Sequence, residues 1–129
     1  DCTPPRPTAR MPPDDPAHRA AAALAAPGAY EQRRTVVADE LDAQEHVNNV
    51  VYARWVQDAA IAHWEARTTP EERAAVAWVL LRHEIDYLRA ARLGDAVVVR
   101  TAVGPVEGIT FERWTEARLA DGDGAVLAR

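Results

Sequence analysis

Residues 41–52 read Leu41-Asp42-Ala43-Gln44-Glu45-His46-Val47-Asn48-Asn49-Val50-Val51-Tyr52. The first half of this stretch is polar and carries an acid, a histidine and two asparagines. The second half turns apolar. An Asn pair followed by apolar residues at helical spacing predicts a loop closed by an N-cap, because an Asn side chain satisfies one of the free N–H groups at a helix start. Val51, Trp55, Ala59 and Ala62 then fall at spacings of four, four and three, one stripe of a helix over 49–66. Tyr52, Val56 and His63 flank the stripe, while Arg54, Gln57, Asp58 and Glu65 fall largely elsewhere. Ala53, Ala59, Ala60 and Ala62 leave room for a neighbouring surface to approach closely.

Upstream of this segment, residues 30–39 hold Thr35, Val36 and Val37 and read as a strand. Downstream, Thr68-Thr69-Pro70-Glu71-Glu72 supplies a cap, a proline for a first turn and two acids for the positive end of a short helix. From Val76 the period changes to two. Val79, Leu81, His83, Ile85 and Tyr87 alternate with Leu80, Arg82, Glu84 and Asp86, which predicts a long strand with one buried face. His63 and His83 both fall on apolar faces and read as packed side chains. Leu93-Gly94-Asp95 is a turn, residues 96–103 are a second strand, and Gly104-Pro105-Val106-Glu107-Gly108 is a break. A third strand covers 109–119, and Asp121-Gly122-Asp123-Gly124 is a hairpin turn. Residues 125–129 open a fourth strand of this run. Ala125-Val126-Leu127-Ala128 meets no turn residue before Arg129, so a further C-terminal strand is expected. One strand, one long helix and an antiparallel meander give an α+β domain of two layers.

Residues 1–29 are of a different kind. They hold seven of the nine prolines and almost no large apolar residue, so they read as a flexible arm with a short Ala-rich helical turn near 17–26. The folded unit is then 30–129, a single domain in a chain of 129 residues. A net charge of −5 argues against nucleic acid and against an anionic membrane surface as partners. The single cysteine, Cys2, excludes a disulfide framework and a Cys-based zinc site. No apolar run approaches the roughly 20 residues that span a bilayer, and the Ala run at 20–26 lacks the pattern of a signal peptide. The cytoplasm is the default location.

The stretch 41–52 resembles the signature of hotdog-fold acyl thioesterases, both the 4-hydroxybenzoyl-CoA thioesterase group and the acyl-carrier-protein thioesterases. There an Asp stands four residues before a His-Val-Asn-Asn run that opens a central helix. Glu84-Ile85-Asp86-Tyr87-Leu88-Arg89 with Arg92-Leu93-Gly94-Asp95, and Glu107-Gly108-Ile109-Thr110-Phe111-Glu112, are similar too, though weaker signals alone. Together the matches cover about 30–129. The resemblance implies a hotdog fold, an antiparallel sheet wrapped around one long central α-helix. It also implies a homodimer or homotetramer, and an acyl-CoA or acyl-carrier-protein substrate hydrolysed to acid and thiol.

Thioester hydrolysis needs attack on an acyl carbonyl and a donor for the oxyanion that develops. The resemblance places the base or nucleophile on Asp42 and the oxyanion donor on the backbone N–H near Asn49, at the positive end of the helix. His46 is near enough in sequence to orient Asp42 or the substrate, and is the third catalytic candidate. Asn48, Tyr52, Arg89 and Arg92 are the candidate substrate contacts, the two arginines for coenzyme A phosphates or an acidic carrier protein. Each has a plainer reading: a turn or cap role for Asp42 and Asn48, a hydrogen-bonding loop role for His46, a solvated surface for the arginines. No cofactor is expected, and a zinc site from His46, His63 and His83 has no ligand spacing behind it. The chain departs from the family at three places. Gln44 stands where the plant enzymes have Asn, Ala90 and Ala91 stand where they carry an acid and often a Cys, and Glu45 stands where many bacterial relatives have Gly. The rival readings are a non-catalytic acyl-binding module on the same fold and, more remotely, a hotdog dehydratase, whose paired Asp/His signature is not visible.

Overall fold

The computed structural model describes residues 16–122 and 124–129. Along the chain come helix α1 (Pro16–Ala25), strand β1 (Tyr30–Thr35), a 3-10 turn (Ala38–Glu40), helix α2 (Asn49–Arg67), helix α3 (Pro70–Ala75) and strands β2 (Ala96–Glu107), β3 (Thr110–Leu119) and β4 (Val126–Ala128). The four strands form one antiparallel sheet in sequence order. Tyr30 lies opposite Thr101 and Thr35 opposite Ala96. Strands β2 and β3 stay paired from Val97–Leu119 out to Glu107–Thr110.

Helix α2 lies across one face of this sheet. Successive strand residues point to opposite faces, and Val97 and Val99 of β2 share one buried cluster with Val51, Tyr52, Trp55 and Ala59 of α2. Trp55 is fully buried. Removing such a side chain would cost about 3–5 kcal/mol, so the helix is held by its stripe rather than by propensity alone. The stripe runs Val51, Tyr52, Trp55, Ala59 and His63. It is turned slightly from the predicted one, with His63 rather than Ala62 at its end. The hotdog arrangement of a sheet curled on one long helix is the fold observed.

The opposite face of the sheet is not bare. Arg19 of α1 makes an ion pair with Glu112 (3.2 Å) and lies over the ring of Trp114 (5.9 Å), and Arg100 donates to the carbonyl of Leu24. Ala102, on this face, is 3% exposed. A partial third layer is therefore added to the two that the pattern of elements predicts. The rest of the predicted arm before residue 16 lies outside the described residues.

The strand predicted over 30–39 ends at Thr35 and gives way to the 3-10 turn, leaving Val36 and Val37 outside it. Two further predicted elements come out differently. Residues 76–85 form no ladder, and Val79, Leu80 and Leu81 are more than three-quarters exposed. The alternation is present in the sequence, but a strand also needs a neighbour, and among the described residues none runs beside 76–85. Only the end of the segment finds one: Asp86 and Arg129 exchange both backbone bonds (2.8 and 3.1 Å), and Leu88 donates to Leu127 (2.8 Å). His83, expected to be packed, is exposed for the same reason. Conversely, β2 continues through 104–107, most of the predicted break. The ladder shifts register between Val103 and Val106, and Pro105, which has no N–H to donate, sits in that irregularity. The reversal is confined to Gly108-Ile109, where Gly108 adopts a left-handed φ of 62°. Among the described residues no helix is long and apolar enough to cross a membrane.

Candidate active site

The loop before α2 is wound around one carboxylate. Leu41 and Val47 form a bridge, Asp42 donates to the carbonyl of His46 (2.8 Å), and Glu45 donates to the carbonyl of Asp42 (3.1 Å). Inside this turn, Asp42 Oδ1 accepts the backbone N–H of Gln44 (2.8 Å) and of His46 (3.2 Å). Closing the turn puts Glu45 in the left-handed region, at φ 61°. Oδ2 is left without a partner among the described residues, so Asp42 is both a turn residue and a carboxylate with a free oxygen.

The loop feeds directly into α2. Asn48 donates its N–H to the carbonyl of Glu40 (3.0 Å), and its side chain accepts from Val50 N (3.0 Å) as the N-cap. Its amide is thereby committed to the helix. The N–H of Asn49, the first helical residue, meets no acceptor among the described residues. It stands at the positive end of a 19-residue helix, where an anionic or developing negative oxygen is favoured.

A third segment closes the site. Val47 donates to the carbonyl of Ala91 (2.9 Å), and the Tyr52 hydroxyl accepts from Ala91 N (2.9 Å) while donating to the carbonyl of Arg89 (3.3 Å). Burial holds the Tyr52 phenol above its ordinary value, so it is protonated at neutral pH and serves as a brace for residues 89–91. Between loop, helix and this segment lies an open cavity of about 350 Å³. Asp42, Gln44 and His46 line it from the loop, Asn49 and Tyr52 from the helix, and Tyr87, Leu88 and Arg89 from the far side.

The geometry thus gathers Asp42, His46, Asn49, Tyr52 and Arg89 around one space. Asn48 stands behind them as the cap. Arg92 does not line the cavity; it is exposed, in a turn fastened by its own N–H to Asp95 Oδ2 (2.9 Å). Among the described residues, no three His, Cys, Asp or Glu side chains converge to hold a metal. His63 is at the other end of α2, bonded to Arg113 (3.0 Å).

Residues 36–125, which include every part of this site, match the family model of the thioesterase-like superfamily. The chain belongs to that superfamily. Among curated proteins none matches this thioesterase-like chain. Solved structures do. A Thermus thermophilus thioesterase complexed with coenzyme A and zinc is 28% identical, with a TM-score of 0.65 and coverage of 76% of this chain and 75% of that one. A 4-hydroxybenzoyl-CoA thioesterase complexed with 4-hydroxybenzoyl-CoA is 12% identical, with a TM-score of 0.69 and 78% of both chains covered. The 12:0-ACP thioesterase of Umbellularia californica is 18% identical, with a TM-score of 0.71, covering 79% of this chain and 40% of that one. At such identities the last two speak for the fold. Family membership points to thioester hydrolysis as the general chemistry.

Sequence reasoning missed five residues that line the thioesterase-like site, Val47 and Ala90 among them. Gln44 was noted only as a departure from the plant enzymes, and Tyr87 and Leu88 were read as part of a long strand. The similarity over 84–89 was the available signal for the last two.

Proposed function

We propose that this chain hydrolyses an acyl thioester, carried on coenzyme A or an acyl-carrier protein, with Asp42 as base or nucleophile and the Asn49 N–H as oxyanion donor. The observation that carries the reading is the cavity they share. Asp42, whose Oδ2 has no partner among the described residues, and Asn49, the first residue of α2, both line it. A carbonyl oxygen docked at Asn49 N–H would gain stabilisation as negative charge develops on it. Asp42 Oδ2 then takes a proton from water, whose oxygen adds to the carbonyl carbon. Collapse of the tetrahedral intermediate breaks the C–S bond, and the leaving thiolate takes the proton held on Asp42, restoring the carboxylate. In the nucleophilic variant, Oδ2 itself bonds to the carbonyl carbon, the C–S bond breaks and the thiolate leaves. Water then hydrolyses the anhydride to the free acid and the Asp42 carboxylate, its released proton going to the thiolate.

The turn bonds from Gln44 and His46 hold the carboxylate in place, which is what positioning a reactant requires. Asn49 N–H, Tyr52 and the His46 ring offer the rest of the polar lining, and Arg89 supplies a cation for a phosphate or acidic group near the mouth. The relatives complexed with coenzyme A and its ester support a CoA substrate, and the 12:0-ACP thioesterase supports a carrier protein.

The test is a panel of acyl-CoAs and acyl-carrier proteins incubated with the purified protein, read with a thiol-detecting reagent and in parallel by a binding assay. Thiol release from at least one thioester is expected. Saturable binding with no thiol release would instead make the chain a non-catalytic acyl-binding module. We further infer a homodimer or homotetramer, supported by the exposed apolar side chains of Val79, Leu80 and Leu81 on an extended segment. Sedimentation at micromolar concentration should give at least twice the monomer mass; a clean monomer would remove this part of the reading.

A further inference from the structure

Glu40 lies two residues before Asp42, outside the cavity, and makes three hydrogen bonds to segments that flank the site. Its Oε2 accepts the indole N–H of Trp55 (2.9 Å). Its Oε1 accepts Val37 N (3.0 Å), which closes the 3-10 turn on itself. Its backbone carbonyl accepts Asn48 N (3.0 Å), the N-cap residue. Trp55 is fully buried and packs edge-on against Tyr52 (5.1 Å), whose hydroxyl braces residues 89–91. The carboxylate is therefore pinned at one end to the core and at the other to the entry of the reactive loop.

We propose that Glu40 is the positioning residue that sets the separation between the Asp42 carboxylate and the Asn49 N–H. This rests on the hydrolytic reading given above. The physical reason is leverage. The 42–46 loop is bonded mainly within itself, so its placement relative to α2 depends on the few bonds that leave it. Val47 to Ala91 fixes it to the far wall, and Glu40 fixes it to the helix. An ionised acceptor makes the stronger kind of hydrogen bond, and a buried indole N–H has no water to fall back on. Without the Glu40 side chain, the turn preceding Asp42 is free to drift by a fraction of an ångström to an ångström. Displacements of that size cost large factors in rate while leaving substrate affinity nearly unchanged.

The experiment compares the full chain with Glu40→Ala, Glu40→Gln and Trp55→Phe, using thioester kinetics together with the backbone amide resonances of Gln44 and His46, which report the Asp42 turn directly. Glu40→Ala should lower kcat about 10- to 100-fold with KM within about threefold, and should shift both amide resonances. Trp55→Phe removes the same bond from the other side and keeps an aromatic ring, so it should have a similar effect. The double variant should be little worse than either single one, as expected for two ends of one interaction. Glu40→Gln keeps an oxygen for the indole but turns an amide N–H toward the Val37 N–H, so it should recover part of the rate and exceed Glu40→Ala. Should Glu40→Ala fail to fold, Trp55→Phe and Glu40→Gln carry the comparison. A parent with no thiol release would end the hydrolytic reading, while the two amide resonances still decide whether Glu40 sets the turn. Unchanged resonances and kcat in Glu40→Ala, a loss confined to KM, or no recovery in Glu40→Gln would overturn the proposal.

Discussion

Glu45 carries the least comfortable backbone among the described residues, the only non-glycine with positive φ (61°). Its side chain is exposed and makes no bond in the turn, so the conformation serves the loop rather than the residue. A left-handed non-glycine residue costs roughly 1–2 kcal/mol, and glycine's extra freedom in the unfolded chain returns about half of that. Glu45→Gly should therefore stabilise the fold by about 0.5–1 kcal/mol in urea denaturation; an unchanged or lower midpoint would contradict the strain. His63 makes a second prediction at this scale. It is 6% exposed, stacks on Tyr30 (5.5 Å), and its Nδ1 must accept from Arg113, since a guanidinium can only donate. Burial first, then the charges of Arg113 and Arg67, hold its pKa below 6.5, with the Gly28 carbonyl opposing them. The folded form is thus neutral where the unfolded form takes up a proton. The stabilisation is complete above about pH 6.5 and is lost as pH falls through the window down to the lowered value. Urea midpoints from pH 7.5 to 5 should show this loss in the parent and not in His63→Gln. At this scale the meeting of Asp42, His46 and Asn49 at one cavity was legible in the sequence because they belong to one short loop and one helix start. The Tyr52 hydroxyl was not, because its partners at residues 89 and 91 come from a distant segment.

Among elements, α2 was the most legible. An Asn cap and a stripe at helical spacing lie wholly within one segment, and both Asn48 and the stripe appear close to where the pattern puts them. Asn48→Ala removes the bond to Val50 N and should cost about 1 kcal/mol. The thermal midpoint should drop by several degrees, the usual response of a domain this size. A drop below one degree would mean the cap contributes little. The segment 76–85 was misread for the opposite reason. Its period of two is a local property, but a ladder depends on what lies alongside, and that is not encoded in the alternation. The predicted break at 104–108 failed likewise: Gly-Pro is ordinarily punctuation, yet a shift in register lets β2 absorb it. The cap of α3 was fully local and was read from Thr68-Thr69; the structure places it on Thr69 and adds the return bond from Glu72, which was read only as an acid at the positive end.

For the whole molecule, the order of elements was enough to predict a sheet curled on one helix, since both must bury one apolar face. The covering of the other face by α1 was not visible. An alanine-rich segment among prolines has no stripe large enough to announce a docking face, and the contacts that hold it come from Arg19, Arg100, Glu112 and Trp114 rather than from an apolar seam. The proposed function rests on a narrower point, that Asp42 and Asn49, the first residue of α2, line one cavity. The most direct measurement is kcat for Asp42→Asn against the parent on whichever thioester the parent hydrolyses, with circular dichroism as the check on folding. Asn retains an oxygen for the Gln44 and His46 N–H groups, so the loop should keep its shape while the reactive carboxylate is gone. The account predicts an intact spectrum and a kcat lower by about two to four orders of magnitude. A folded Asp42→Asn protein that releases thiol as fast as the parent would contradict it.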